Sequence, residues 1–296
     1  MLDVTRLRVL AAVNRHGSVT AAARALRYAQ PSVSHHLARL EAETGTRLVQ
    51  RVGRGVRLTD AGRMLAERAE EILGRLEAAE EELAAHAGLH AGRVRLAAFP
   101  SALGTFVPRA AAAFTAAHPG VELRFTEAEP PDAARLLRSG EVDIALLFGY
   151  SDTPPADDDG LRRTPLLTEP IYLVTPAGLA GDRLADHATR RWISGCERCR
   201  THLLRSCQAA GFTPDIAFTT DDYVAVQALV AAGLGVTTLP GLALAAQRNP
   251  AVRTARLPGQ ERAISAAVHG EPPDPPTVAA LLDHLANATA APLPPP

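Results

Sequence analysis

Apolar positions change their spacing along this chain, and each change predicts a different kind of element. Leu7, Leu10, Ala11 and Val13 recur at helical spacing and predict a helix over 7–16, stopped by Gly17. Ser18 then caps a second helix, 19–26, whose inner face is Ala22, Ala23 and Leu26; small alanines let another helix approach closely. Gln30-Pro31 opens a third helix, 30–44, because proline in a first turn has no N–H to leave unpaired. Its buried stripe is Val33, Leu37 and Leu40. Residues 47–59 read as two short strands around a Gly-rich turn, and Thr59-Asp60 starts a long helix. There Leu65, Ala69, Ile72, Leu76, Ala79 and Leu83 alternate by four and three residues. That heptad seam predicts pairing with a second helix, hence a dimer.

After a short hinge the texture changes to apolar runs alternating with helical stretches. Strands at 94–98, 121–125 and 142–148, with helices at 103–118 and 131–138, give the βαβαβ order of a parallel sheet covered by helices. An acidic, Pro-containing loop at 153–160 separates a second α/β unit. Its strands are expected at 171–175, 191–194, 216–219 and 235–239, and its helices at 200–210 and 222–232. A return strand at 263–268 and a helix at 277–287 follow, and 288–296 reads as a disordered tail. A chain of 296 residues has room for two or three domains. No apolar run of about 18 residues marks a membrane span and no secretory h-region opens the chain, so a cytoplasmic protein without a membrane partner is expected.

Charge sharpens the picture. All 31 basic residues are arginine and the formal net charge is −1, yet residues 1–60 hold ten arginines against four acids, a local +6. A basic domain within a neutral chain is a candidate footprint for phosphates. Opposite the buried stripe of helix 30–44 stand Ser32, His35, His36 and Arg39, with Ser34 at the edge and Gln30 at the start. Such side chains read base edges when a helix lies in the major groove of double-stranded DNA. Arg51, Arg54 and Arg57 recur through the hairpin, which suits a wing lying along phosphates or in the minor groove.

The chain resembles the LysR-type transcriptional regulators over almost its whole length. The resemblance is carried by Ala22-Ala23-Arg24-Ala25-Leu26, Gln30-Pro31-Ser32-Val33-Ser34, Leu37, Leu40-Glu41, Gly45, Arg51, Leu58-Thr59 and Ala61-Gly62. Downstream it continues in Phe114, His118-Pro119-Gly120-Val121, residues 140–145, Gly211-Phe212-Thr213-Pro214, residues 229–236 and Leu239-Pro240. His35-His36 depart from the larger polar or basic side chains frequent there, so no base preference carries over. The resemblance implies a multidomain fold: a winged helix-turn-helix (1–59), a linker and dimerisation helix (60–89), and a two-lobed α/β sensor like a periplasmic binding protein. Lobe I would be 93–165 with 263–287, and lobe II 166–262. It further implies a homodimer, pairing into a tetramer, that acts on promoters, contacts RNA polymerase and holds a small-molecule effector between the lobes. No cofactor is expected.

In such a sensor, ligands bind beyond strand C-termini, near helix N-termini. That places candidate effector residues at Pro100, Ser101 and Phe148 in one lobe and at Cys196, Thr201, Thr220 and Asp222 in the other. Ser101 and Asp222 read equally well as plain helix caps, and Asp221-Asp222 argues against presuming an anionic effector. Cys196, Cys199 and Cys207 are the chain's three cysteines. With His202 they suggest a zinc site, but a helix through 200–207 sets His202 and Cys207 about 140° apart, and no metal ligand is assigned. A redox role, with Arg198 and Arg200 supplying a cationic field, and a structural role as small hydrophobes both stay open. A transporter's solute-binding protein would explain the second half but not the first 90 residues. Without a nucleophile motif or phosphate-cradling glycine loop, an enzyme is not expected.

Overall fold

The computed structural model describes residues 2–52, 55–86, 92–150 and 160–290. The chain divides into two units, Met1–His90 with Arg135–Val142, and Ala91–Ala134 with Asp143–Pro296.

The first unit is built on α1 (Val4–His16), α2 (Val19–Leu26) and α3 (Gln30–Thr44). Asp3 and Ser18 cap the first two: Asp3 Oδ1 accepts from the Arg6 amide at 3.1 Å, and Ser18 Oγ from the Ala21 amide at 3.1 Å. Ala22 and Ala23 are buried, and with Val9, Leu10, Val13, Val33, Leu37 and Leu40 they form the core between the three helices. Strands β1 (Val49–Val52) and β2 (Gly55–Leu58) pair antiparallel, Val49 opposite Leu58. Glu41 ties α3 to this hairpin, its Oε1 accepting from the amides of Leu48 (2.7 Å) and Val49 (3.0 Å). Thr59 Oγ1 donates to the Arg47 carbonyl at 2.7 Å and accepts from the Gly62 amide at 3.0 Å, which opens α4 (Asp60–His86). Position 62 has to be glycine because a Cβ there would stand 2.0 Å from the Leu48 carbonyl oxygen.

The heptad seam of α4 divides. Leu65 and Ala69 pack on Leu7 and Ala11 of α1, whereas Ile72 (42% exposed), Leu76 (40%) and Leu83 (72%) leave an apolar stripe uncovered in the single chain.

In the second unit, β3 (Arg93–Ala98), β4 (Glu122–Glu127) and β5 (Ile144–Tyr150) are parallel; α5 (Pro100–Leu103) and α6 (Phe106–Ala117) join the first two, and α7 (Pro130–Arg138), which follows β4, has its residues 135–138 in the first unit. Then come β6 (Leu161–Pro176), β7 (Arg191–Ser194), α8 (Glu197–Ala209), β8 (Asp215–Thr219), α9 (Tyr223–Ala231), β9 (Thr237–Pro240), α10 (Gly241–Ala246), β10 (Val252–His269) and α11 (Pro276–Ala290). One sheet runs in the order β4-β3-β5-β10-β6-β9, and a smaller one pairs β7 with β8. Trp192 bridges to Val236, bringing the small sheet beside β9.

The sequence predicts short strands at 171–175 and 263–268, but each belongs to a long one. Strands β6 and β10 pair antiparallel from Val252 opposite Pro176 to His269 opposite Leu161. The reason lies in Pro165 and Pro170, which break the apolar pattern and donate no ladder hydrogen bond; both stand at register shifts, where proline is tolerated. The helix expected at 103–118 is two helices, α5 and α6. Helix α8 starts three residues before the expected 200, because Cys196, an unusual cap, accepts from the Cys199 amide.

Candidate functional site

On α3, Val33, Leu37 and Leu40 are buried, while Gln30, Ser32, Ser34, His35 and Arg39 are exposed. His36 is half-buried, its ring 6.0 Å from that of Tyr28. The unit therefore turns outward a helix face of hydroxyls, an imidazole and a guanidinium. Gln30 Nε2 donates to Ser34 Oγ at 3.3 Å across one turn. Arg57 is exposed on β2, and Arg51 lies on β1 opposite Val56; Arg54 falls outside the described residues.

In the second unit a small cavity has room for water-sized molecules over about 20 Å³. Its lining includes Glu129, Tyr150, Cys196, Cys199, Thr220 and Asp221. Of the residues expected at an effector site, Cys196 and Thr220 are on this wall, while Pro100, Ser101, Phe148, Thr201 and Asp222 are not. Asp222 caps α9, its Oδ1 accepting from the amides of Val224 (2.8 Å) and Ala225 (3.1 Å). Ser101 is buried, and its Oγ accepts from Arg262 Nη2 at 2.9 Å.

Arg262 organises this region from β10. It has no exposed surface. Its Nε and Nη2 donate to Glu169 Oε1 at 2.8 and 2.5 Å, and its guanidinium lies 4.2 Å from the Phe148 ring centre and 4.9 Å from that of Phe99. Glu169 Oε2 accepts from the Leu242 amide at 2.6 Å, so one carboxylate joins β6, β10 and the start of α10. Sequence reasoning missed Arg262, Glu169 and Glu129. The run Gln260-Glu261-Arg262 looks solvated, and only the fold brings these distant residues together.

The thiols divide two and one. Cys196 and Cys199 stand with their sulfurs 2.9 Å apart, and the Tyr150 hydroxyl donates to Cys199 Sγ at 3.5 Å. Tyr150 stacks on His202, ring centres 3.9 Å apart. The hydrogen bond from Cys196 lowers the pKa of Cys199 against the penalty of burial, with Arg262 and the Tyr150 hydroxyl assisting. Cys196 moves the opposite way, raised by that bond and by burial, so Cys199 is the thiol of the pair that ionises first. Burial raises the pKa of Glu129, whose carboxyl is hydrogen-bonded to Cys196. The cation beside the thiols is thus Arg262; Arg198, expected in that role, donates to the Phe148 carbonyl at 3.2 Å. Cys207 is buried in the core, with a pKa pushed up to about 12 by burial. Among the described residues no cluster of His, Cys, Asp and Glu is arranged to hold a metal ion, and no helix is long and apolar enough to cross a membrane.

Residues 4–63 match the bacterial regulatory helix-turn-helix protein, lysR family, and residues 87–290 match the LysR substrate binding domain. The chain belongs to the LysR family. It is a DNA-binding transcriptional regulator with an effector-binding domain, and not an enzyme. Among its LysR relatives it is 30% identical over 288 residues to the probable HTH-type transcriptional regulator LrrA of Synechococcus elongatus, with 96% of each chain covered. It is 31% identical over 268 residues to the uncharacterized HTH-type transcriptional regulator YcgK of Bacillus subtilis, covering 81% of each. The crystal structure of CbnR, a LysR family transcriptional regulator, shares the fold with a TM-score of 0.67 at 24% identity, over 97% of this chain and 99% of that one.

Proposed function

We propose that this LysR-family regulator reads its operator with α3 in the major groove. Gln30, Ser32, Ser34, His35, His36 and Arg39 face the base edges, and the hairpin residues Arg51, Arg54 and Arg57 lie along phosphates. The observation that carries this reading is the outward face of α3: its apolar stripe is buried and its hydrogen-bonding side is exposed. We assign residues 1–59 to reading, 60–89 to pairing, and 93–165 with 263–287 and 166–262 to the two lobes of the sensor. The uncovered stripe Ile72, Leu76 and Leu83 supports a homodimer; two dimers form the tetramer that acts in the cytoplasm and meets RNA polymerase at the promoter.

The sensor takes a small polar effector without negative charge. Asp221 lines the cavity, and the nearby Arg262 is already held by Glu169. A mobility-shift titration with DNA flanking the gene tests the reading head. The expected result is a salt-sensitive complex of dimer size or larger, in which His35→Ala changes the preferred sequence while Arg57→Ala weakens all sequences alike. Equal losses on operator and random DNA for His35→Ala would remove His35 from the base-reading set.

A further inference from the structure

We propose that Cys196 and Cys199 form a reversible dithiol–disulfide switch in the wall of the sensor cavity, oxidised by hydrogen peroxide. Three kinds of observation meet there: sulfur spacing, access and neighbouring groups. The two sulfurs are 2.9 Å apart within the first turn of α8, nearly in bonding position for a disulfide of about 2.05 Å. They are too close to share a tetrahedral zinc ion, whose thiolate ligands at about 2.3 Å stand roughly 3.8 Å apart. Both cysteines are half-buried and line the cavity, so a reagent that enters it meets sulfur directly. Its room for water-sized molecules suits a small oxidant such as hydrogen peroxide. Finally, proton handling is in place: the Tyr150 hydroxyl and the Arg262 charge face Cys199, and the Glu129 carboxyl faces Cys196, with its Oε2 buried and otherwise without a hydrogen-bond partner.

The chemistry balances on these groups. The Cys199 thiolate attacks one peroxide oxygen and the O–O bond breaks. The hydroxide released takes the Glu129 proton and leaves as water, while Cys199 becomes a sulfenic acid. Cys196 then gives its proton to Glu129 and its sulfur attacks Cys199. The S–O bond breaks, and hydroxide takes the proton back from Glu129 as the second water. Two thiol sulfurs supply the two electrons that reduce the peroxide, and a thiol reductant reverses the change by exchange. Cys207 takes no part. It lies in the core, eight residues beyond Cys199 in the same helix, about 12 Å along the axis and out of bridging range. Forming the disulfide draws the Cys199 sulfur away from Tyr150, which is stacked on His202, and so repacks one wall of the cavity.

The test uses the full-length protein, reduced and then exposed to a small molar excess of hydrogen peroxide, alkylated with N-ethylmaleimide and weighed intact. The expected result is a fall from three alkylatable thiols to one, with the new bond mapped to the peptide carrying positions 196 and 199. Cys207→Ser still loses two thiols. Cys196→Ser stops at a sulfenic acid that dimedone captures, and Cys199→Ser reacts at least roughly ten-fold more slowly. Survival of all three thiols, a bond to Cys207 or a bond between chains would overturn the proposal. The wild-type count decides without any variant. Its regulatory meaning rests on reading this unit as the sensor, but the thiol count does not depend on DNA binding, so the two readings fail separately.

Discussion

A guanidinium without exposed surface persists only if its charge is met on the spot, and Arg262 is met by a single carboxylate. Removing one partner of such a pair strands the other charge, at about 3–5 kcal/mol, whereas replacing both with apolar groups of similar size is often near neutral. Glu169→Ala should therefore lower the unfolding free energy by about that amount, and Glu169→Leu with Arg262→Met should restore most of it in urea titrations. A double variant as weak as the single one would mean that the pair also positions something the apolar replacement cannot. Glu129 carries a different sign. Burial raises its pKa above the ordinary 4.5, so the folded protein holds this proton at pH values where the unfolded chain has lost it. Its contribution to stability therefore falls as pH rises through the raised value. Glu129→Gln lacks that titration, so its melting temperature relative to wild type should rise between about pH 4 and about pH 7.5. A difference that stays flat with pH would count against a strained carboxyl there.

Helix α4 shows how one periodic stripe serves two partners. Leu65 packs inside its own unit, while Leu76 is 40% exposed. Leu76→Glu should halve the mass seen by light scattering and leave the melting transition nearly unchanged. Leu65→Ala should do the reverse, costing about 2–4 kcal/mol of fold stability without altering the assembly. Unchanged mass for Leu76→Glu would remove the seam from the interface. The seam was legible as a period, but periodicity does not say which apolar positions meet the chain's own α1. The same distinction runs through the other elements. Helices α1 to α3 were legible in their apolar spacing, with Ser18 and Pro31 marking the starts of the second and third, but α1 begins at Val4 and not at the expected 7 because its cap, Asp3, was not read as one. Strands β6 and β10 were only half legible, because Pro165 and Pro170 interrupt the pattern at positions where the register itself shifts. Of the candidate effector residues, Cys196 and Thr220, which lie beyond strands, fall on the cavity wall. The buried pair Arg262 and Glu169 was illegible, since a charged residue in a polar run looks solvated until distant strands enclose it.

At the scale of the whole molecule, charge is divided by sequence. The formal +6 of residues 1–60 leaves a formal −7 on the remaining 236, giving the net −1 of the chain. In such a protein the attraction to phosphates comes from the arginines of residues 1–60 and is opposed by an acidic remainder. That makes affinity strongly salt-dependent: each neutralised phosphate adds about 0.9 to the slope of log K against log salt. Each dimer of the proposed tetramer presents every wing arginine twice, and the change is counted per bound dimer. Arg57→Ala, exposed on β2, should therefore lower the magnitude of that slope by about 2 on operator and random DNA alike. His35→Ala carries no phosphate contact in this scheme and should leave the slope unchanged while flattening discrimination between sequences. The two variants thus move separate observables, and fluorescence anisotropy at four or five salt concentrations resolves them. If Arg57→Ala changed sequence preference at constant slope, the hairpin would be reading bases, and the division of labour between α3 and the wing would have to be redrawn.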